Sequence, residues 1–168
     1  MKKLVRIIDH WSVTAYKADD DCRRHYHYTI EGDGTEVAGF KRPEANLSTS
    51  DRDYVGHTLN CNEGSIGVAC AAMLGAIWPG RSPEQYGKYP VIEKQFEAMC
   101  LRNAKLCKKY GIKVTSKTVL MHGEVQENLG IHQRGKWDIG VLPYKGLWDI
   151  KACGDYMRER TLTHLAKI

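Results

Sequence analysis

Two histidines in this chain each follow a run of apolar residues that is typical of a buried strand. His10 ends the run over 4–9, and His122 ends the run over 119–121. Strand ends converge at one edge of a sheet, so we expect both imidazoles there, and Asp138 arrives on the loop after His122. Two histidines and one carboxylate leave a fourth zinc position for water, which is the arrangement of a catalytic zinc site.

Lys136 stands two residues before Asp138 and would lie beside such a metal. A zinc-bound water has its pKa lowered to about 7, so hydroxide would be available at neutral pH. A fixed ammonium group nearby can stabilise the oxyanion of a tetrahedral intermediate. Spacing alone leaves the alternative open, because a histidine at a strand end is more often structural than a metal ligand.

The remaining histidines and the tryptophans offer weaker candidates. His25 and His27 would lie on one face of a strand as a metal pair, but a hairpin face lined with polar aromatic residues is favoured. His132 and His164 are expected at the surface. A non-haem iron oxygenase, which would also use two histidines and a carboxylate, is the disfavoured third class. Trp11 and Trp137 flank the candidate ligands, and they could belong either to the core or to a sugar-binding groove.

Composition and charge narrow the class of protein. The 168 residues are most simply one domain, and no apolar run approaches the roughly 18–20 residues of a membrane span. The net charge of +5 favours an anionic partner, but no nucleic-acid-binding motif accompanies it. Six scattered cysteines predict reduced thiols. The start of the chain lacks a signal-peptide core, so we expect synthesis in the cytoplasm.

The elements that must position these residues alternate between strands and helices. A hairpin around the Asp-Gly turn of residues 31–34 is the clearest local feature. An amphipathic helix from Pro90 to Tyr110 ends at Gly111, and a last helix is expected from its cap Asp155 to Ile168, with Met157, Leu162 and Leu165 facing inward. Strands are predicted at 3–9, 26–30, 35–40, 65–73 and 114–121, a short helix near 19–24, and loops at 41–64 and 75–90. This pattern predicts an α/β domain with a mixed central sheet packed by helices.

Four stretches in order, IIDHWSVT, HYHYTIEGDGTEVAG, VGHTLNCNEGSIGVA and MHGEV…RGKWDIG, resemble the zinc-dependent N-acetylmuramoyl-L-alanine amidases. This is the type-2 amidase or peptidoglycan-recognition-protein family, which includes phage lysozyme-amidases. The resemblance covers about residues 4–140 and leaves 141–168 as a C-terminal extension of a single catalytic domain, 1–168. It implies hydrolysis of the amide between N-acetylmuramic acid and L-alanine in bacterial peptidoglycan.

The resemblance also implies roles for individual residues. His10, His122 and Asp138 match the zinc ligands, and Lys136 matches the lysine of the family's Lys-x-Cys/Asp motif. Tyr26 matches a tyrosine near the zinc water, while His57 and Asn62 match the rim of the substrate groove. Some members carry a glutamate as general base where this chain has Ala69.

The biological setting follows less directly from the resemblance. A phage or prophage endolysin, made in the cytoplasm and acting on the wall after release, is the favoured interpretation. A cytosolic wall-recycling amidase and a module that binds peptidoglycan without cutting it are the alternatives. We expect a monomer without membrane insertion.

Overall fold

A mixed five-stranded sheet in the order β3-β2-β4-β1-β5 forms the centre of the computed structural model, which describes all 168 residues. Its strands are β1 (Arg6–Trp11), β2 (Tyr28–Ile30), β3 (Glu36–Ala38), β4 (Ser65–Cys70) and β5 (Val119–Met121). β1 pairs in parallel with both β4 and β5, β2 is parallel to β4, and β3 alone runs antiparallel. The central strands are buried on both faces, as continuous apolar runs in parallel strands require.

The helices are α1 (Asp20–His25), α2 (Pro83–Tyr86), α3 (Glu93–Tyr110), α4 (Val125–Leu129) and α5 (Ile150–Leu165). Short 3-10 turns cover Pro43–Leu47, His122–Glu124 and Pro143–Lys145. α3 and α5 pack together, and Phe96, Met99 and Met157 meet the sheet in the main core. A smaller cluster around Ile8, Leu120 and Val125 forms a second, separate core.

The predicted fold class is confirmed, and several element boundaries are as expected. The hairpin forms with Tyr28 opposite Ala38, and Asp19 caps α1 by accepting the N–H of Cys22. α3 ends at Gly111, which has a left-handed backbone (φ 68°) and donates its N–H to Cys107 O. All six cysteines are free and buried. No helix of the chain has the length and apolar character that a membrane crossing needs.

The prediction for the last helix is wrong at its start. α5 begins at Ile150, because Asp149 rather than Asp155 accepts a first-turn N–H, that of Ala152, at 2.9 Å. Asp155 lies within the helix and binds Lys151 and Arg158 instead. Met157 is fully buried as predicted, but Leu162 is half-exposed.

Other boundaries shift by a few residues. β1 extends to Trp11, so His10 lies inside the strand rather than after it. The strand predicted over 114–121 shrinks to β5, because Thr115 and Thr118 bond to each other in a turn. The predicted loops at 41–64 and 75–90 contain a 3-10 turn and α2 respectively.

Candidate metal centre

Three side chains from distant parts of the chain converge at the carboxyl ends of β1 and β5. His10 Nδ1 lies 3.1 Å from His122 Nδ1 and 3.3 Å from Asp138 Oδ2, and His122 Nδ1 lies 3.4 Å from Asp138 Oδ1. All three residues are buried. They meet because β1 and β5 are parallel neighbours, with Asp9 beside Met121 in register. The three donor atoms lie within 4.8 Å of one another, as ligands of one metal ion would.

The hydrogen bonds of His122 leave its Nδ1 free for a metal. His122 Nε2 lies 2.8 Å from Gln133 Oε1. Gln133 Nε2 donates to Leu59 O at 2.7 Å, which fixes the orientation of the amide and makes Oε1 an acceptor. His122 must therefore carry its proton on Nε2, and the Nδ1 lone pair faces His10 and Asp138.

His10 is oriented in the same way through His57. His57 Nε2 lies 3.3 Å from the carbonyl oxygen of Ser65, which can only accept, so His57 carries its proton there. Its Nδ1 then accepts from His10 Nε2 at 3.1 Å, and Thr58 Oγ1 at 2.8 Å can donate to the same atom. The lone pair of His10 Nδ1 consequently points into the cluster.

The charges of the cluster match a cation. Burial lowers the pKa of His10 to about 4, so its imidazole is neutral at neutral pH. Burial opposes the ionisation of Asp138, and a hydrogen bond donated by either imidazole would hold the pKa of its carboxyl below the usual range when no cation is bound. Two neutral imidazole lone pairs and one carboxylate thus face each other at short range. This donor set fits a zinc ion with an open fourth position, and the cluster can hold a metal.

A cavity of about 200 Å³ opens over the cluster, and its wall includes most of the predicted site residues. The lining residues are His10, Trp11, Val13, Tyr26, His57, His122, Lys136, Trp137 and Asp138.

Within this cavity the Tyr26 ring lies 5.1 Å from the His10 ring, between centroids. Burial, with the charge of Asp138, raises the pKa of Tyr26 above its ordinary value, so the phenol stays protonated and can donate a hydrogen bond. Lys136 is exposed at the mouth, while Trp11 and Trp137 pack edge to face with centroids 4.6 Å apart.

Asn62 does not line the cavity. Its side-chain oxygen accepts the backbone N–H groups of His57 and Thr58, both at 2.9 Å, so it shapes the loop behind His57. Gly67 makes room there, because a β-carbon on it would lie 2.7 Å from the His57 ring. Ala69 is buried beside His10 in the β1–β4 register, so no carboxylate occupies that position.

The other histidines lie outside the cluster. His25 ends α1 and bonds to Asp21 O, whereas His27 is buried between Asn46 and the N–H of Gly67, so the two do not form a pair. His132 is exposed. The role of Gln133 is not predictable from the sequence, because a glutamine in a polar loop gives no signal that it contacts a histidine eleven residues earlier.

Comparison with known proteins identifies the family of this chain. The family model described as N-acetylmuramoyl-L-alanine amidase matches residues 5–140, and the chain belongs to this family. No curated protein matches the sequence significantly.

Several solved structures share the fold. The Staphylococcus aureus hydrolase AmiA, solved with its ligand, has a TM-score of 0.58 at 12% identity, covering 99% of this chain and 77% of AmiA. The Ph2119 endolysin from a Thermus scotoductus bacteriophage has a TM-score of 0.51 at 15% identity, covering 87% and 86% of the two chains. The amidase AmiD from E. coli, in complex with anhydro-N-acetylmuramic acid-L-Ala-D-gamma-Glu-L-Lys, has a TM-score of 0.53 at 14% identity. The match covers 82% of this chain but about half (52%) of AmiD.

Proposed function

We propose that this protein is a zinc-dependent amidase that hydrolyses the bond between N-acetylmuramic acid and L-alanine in peptidoglycan. The observation that carries the proposal is the buried cluster of His10, His122 and Asp138, in which outer hydrogen bonds turn both Nδ1 lone pairs inward. Membership of the amidase family supplies the reaction. A module that only binds peptidoglycan would not need three complete ligand positions, which favours catalysis over recognition.

A zinc ion, when bound, would polarise the scissile carbonyl and lower the pKa of a water to about 7. The residues of the chain then have separate tasks. The Lys136 ammonium at the cavity mouth offsets the negative charge that develops on the carbonyl oxygen. Tyr26, whose phenol stays protonated, donates a hydrogen bond that orients the attacking water, or it relays the proton that this water loses. Because Ala69 provides no carboxylate, Lys136 and Tyr26 supply the charge stabilisation and the proton transfer that the reaction needs from side chains.

A second cavity is suited to the acidic peptide of such a substrate. It has a volume of about 840 Å³ and contains three cationic side chains, Arg24, Lys41 and Arg52. His25 and Gly56 in its wall directly adjoin Tyr26 and His57, which line the metal cavity. The ligand of AmiD contains D-gamma-Glu. The carboxylates of a stem peptide of this kind would be attracted by Arg52, and by Arg24 and Lys41 in exchange for their ion pairs with the exposed Asp21 and Asp53.

For the biological setting we propose a phage or prophage endolysin that acts on the cell wall after release from the cytoplasm. The fold shared with the Ph2119 endolysin supports this setting. We propose that residues 1–168 act as one catalytic domain, because α5, beyond the family match, packs against α3 and the β5 region, and that the protein acts as a monomer. A cytosolic wall-recycling amidase is the second candidate, and it would prefer small soluble muropeptides to intact wall.

The test combines metal content with product analysis. Purified protein should contain about one zinc per chain and should release peptides with free N-terminal L-alanine from purified peptidoglycan. A chelator should abolish this release, and added zinc should restore it. His122→Ala should lose both zinc and activity, while His132→Ala, which changes an exposed histidine after α4, serves as the matched control. Zinc-loaded protein that binds wall and releases nothing would refute the enzyme proposal.

A further inference from the structure

A second cleft of about 200 Å³ adjoins the metal cavity and shares two wall residues with it, Lys136 and Trp137. Three tryptophans line this cleft, together with side chains that can form hydrogen bonds at its edge. The residues that matter are Trp78, Trp137, Trp148, Arg81, Lys136 and Asp149. A ligand that reaches the metal cavity could therefore extend into an aromatic cleft without leaving the protein surface.

Two of these aromatic walls are held in place by their neighbours. Trp137 packs edge to face on Trp11. Gly80, with a left-handed backbone (φ 70°), brings the preceding loop close to the Trp137 ring, and a β-carbon there would lie 2.9 Å from it. Trp148 stacks on Tyr86 with an interplanar angle of 19°. The cleft is therefore a built feature with two fixed rings, and no rearrangement is needed to form it.

Trp78 differs from these two because its side chain is largely free. It is 69% exposed on the loop between β4 and α2. An exposed tryptophan beside a reactive site usually marks a binding surface, since its ring offers a broad apolar face at low conformational cost. The edge of the cleft carries two cations and one carboxylate, so the site is not purely apolar.

We propose that this cleft binds the pyranose ring of the N-acetylmuramoyl unit, with the lactyl amide directed towards His10 and His122. A pyranose has apolar C–H faces that stack on tryptophan, and a rim of hydroxyl and acetamido groups that can bond to Arg81 and Asp149. The cationic cavity beside Tyr26 and His57 would then hold the peptide. The sugar and the peptide would therefore occupy two different cavities, each next to the metal cavity. This inference rests on the proposed amidase function.

The test compares two substrates that contain the same scissile amide. One is an N-acetylmuramoyl peptide, and the other is the corresponding D-lactoyl peptide without the sugar. The preference is measured as kcat/KM for the N-acetylmuramoyl peptide divided by kcat/KM for the lactoyl peptide. Trp78→Ala is expected to lower this ratio about tenfold, which corresponds to the loss of one aromatic stacking contact. Trp78→Phe should restore most of this preference. Ile77→Ala removes a side chain that is 63% exposed on the same loop but does not line the cleft, and it should leave the ratio unchanged.

A binding measurement separates failure of this inference from failure of the proposed function. N-acetylmuramic acid, titrated by NMR, should bind wild-type protein and the Ile77→Ala variant at least several-fold more tightly than Trp78→Ala. If neither peptide is hydrolysed but the sugar still binds in this pattern, the amidase proposal fails and the sugar site stands. Equal loss on both peptides in Trp78→Ala, or equal binding of the sugar by all variants, would overturn the assignment of the cleft.

Discussion

Replacing Arg158 with methionine is expected to destabilise the protein and to loosen the turn that carries His122. Arg158 lies on α5, and its two terminal nitrogens donate to the Glu124 carboxylate, each at 2.9 Å. One of them also donates to Val119 O at 3.1 Å. The Glu124 carboxylate accepts the backbone N–H of Met121 at 2.9 Å. The ion pair therefore holds the backbone on both sides of the residue that supplies a metal ligand.

The size of the effect follows from burial. The side chains of Arg158 and Glu124 are only 10% and 5% exposed. Arg158→Met would leave the Glu124 carboxylate buried without its cation, and removing one partner of a buried ion pair costs about 3–5 kcal/mol. For a chain of this length each kcal/mol lowers Tm by about 2–4 °C, so the expected shift is about 6–20 °C. The expected loss of about 3–5 kcal/mol is a large part of a typical unfolding free energy of about 5–15 kcal/mol.

Gly154 provides an independent test of the same contact. It lies within α5, where alanine usually stabilises a helix by about 0.5–1 kcal/mol relative to glycine. A β-carbon at this position would overlap the Glu124 carboxylate. Gly154→Ala should therefore destabilise the protein, which reverses the sign expected for a helix interior.

Urea unfolding of the zinc-free protein, followed by circular dichroism, would measure both variants. Lys151→Ala is the matched control, since it removes an exposed ion pair with Asp155 on the same helix and should cause no measurable change. Arg158→Met should also weaken zinc binding, because the turn holding His122 loses its support. Wild-type stability in Arg158→Met, or a stabilised Gly154→Ala, would refute the argument that α5 holds this turn.

Three further predictions concern the site itself. Lys136→Ala should lose about 10²–10³ in kcat while zinc content stays normal, and near-normal turnover would remove Lys136 from the reaction. Gln133→Leu should weaken zinc affinity about 10–100-fold in a competition assay with a chelator, because His122 loses the acceptor for its Nε2 proton. Burial lowers the pKa of His27 to about 4 from 6.5, so the unfolded chain binds the extra proton between these values. The unfolding free energy of zinc-free protein should be largest above pH 6.5 and should decrease towards pH 4. In urea titrations, His27→Gln should make this decrease less steep.

The sequence predicts the central strands and α3 well because their patterns are local. The apolar runs of β1 and β4, the Asp-Gly turn of the hairpin and the glycine after α3 each fix a conformation within a few residues. The start of α5 depends on a choice between two aspartates. Aspartate is a good helix cap, and both Asp149 and Asp155 could serve. Asp149 caps the helix, whereas Asp155 accepts a hydrogen bond from the buried Arg158, a contact that the sequence does not predict.

For the candidate site, the sequence indicates the candidate metal ligands, and the structure adds the residues that orient them. His10, His122 and Asp138 are found from strand ends, a following loop and the family motifs, and the structure brings these three together. The residues that orient the imidazoles leave no comparable signal. Gln133 contacts His122 only because the loop after α4 folds back, and that path is not encoded in a short pattern.

One loop, which runs from residue 57 to the first residue of β4, Ser65, orients both imidazoles. It supplies Leu59 O, which fixes the amide of Gln133 and thereby the proton of His122, and Ser65 O, which fixes His57 and thereby the proton of His10. A backbone carbonyl can only accept, so each chain of hydrogen bonds has one allowed direction, and both end with a lone pair on Nδ1. Asn62 holds this loop by accepting two of its N–H groups. The loop therefore sets the protonation of two ligands that come from β1 and from the turn after β5.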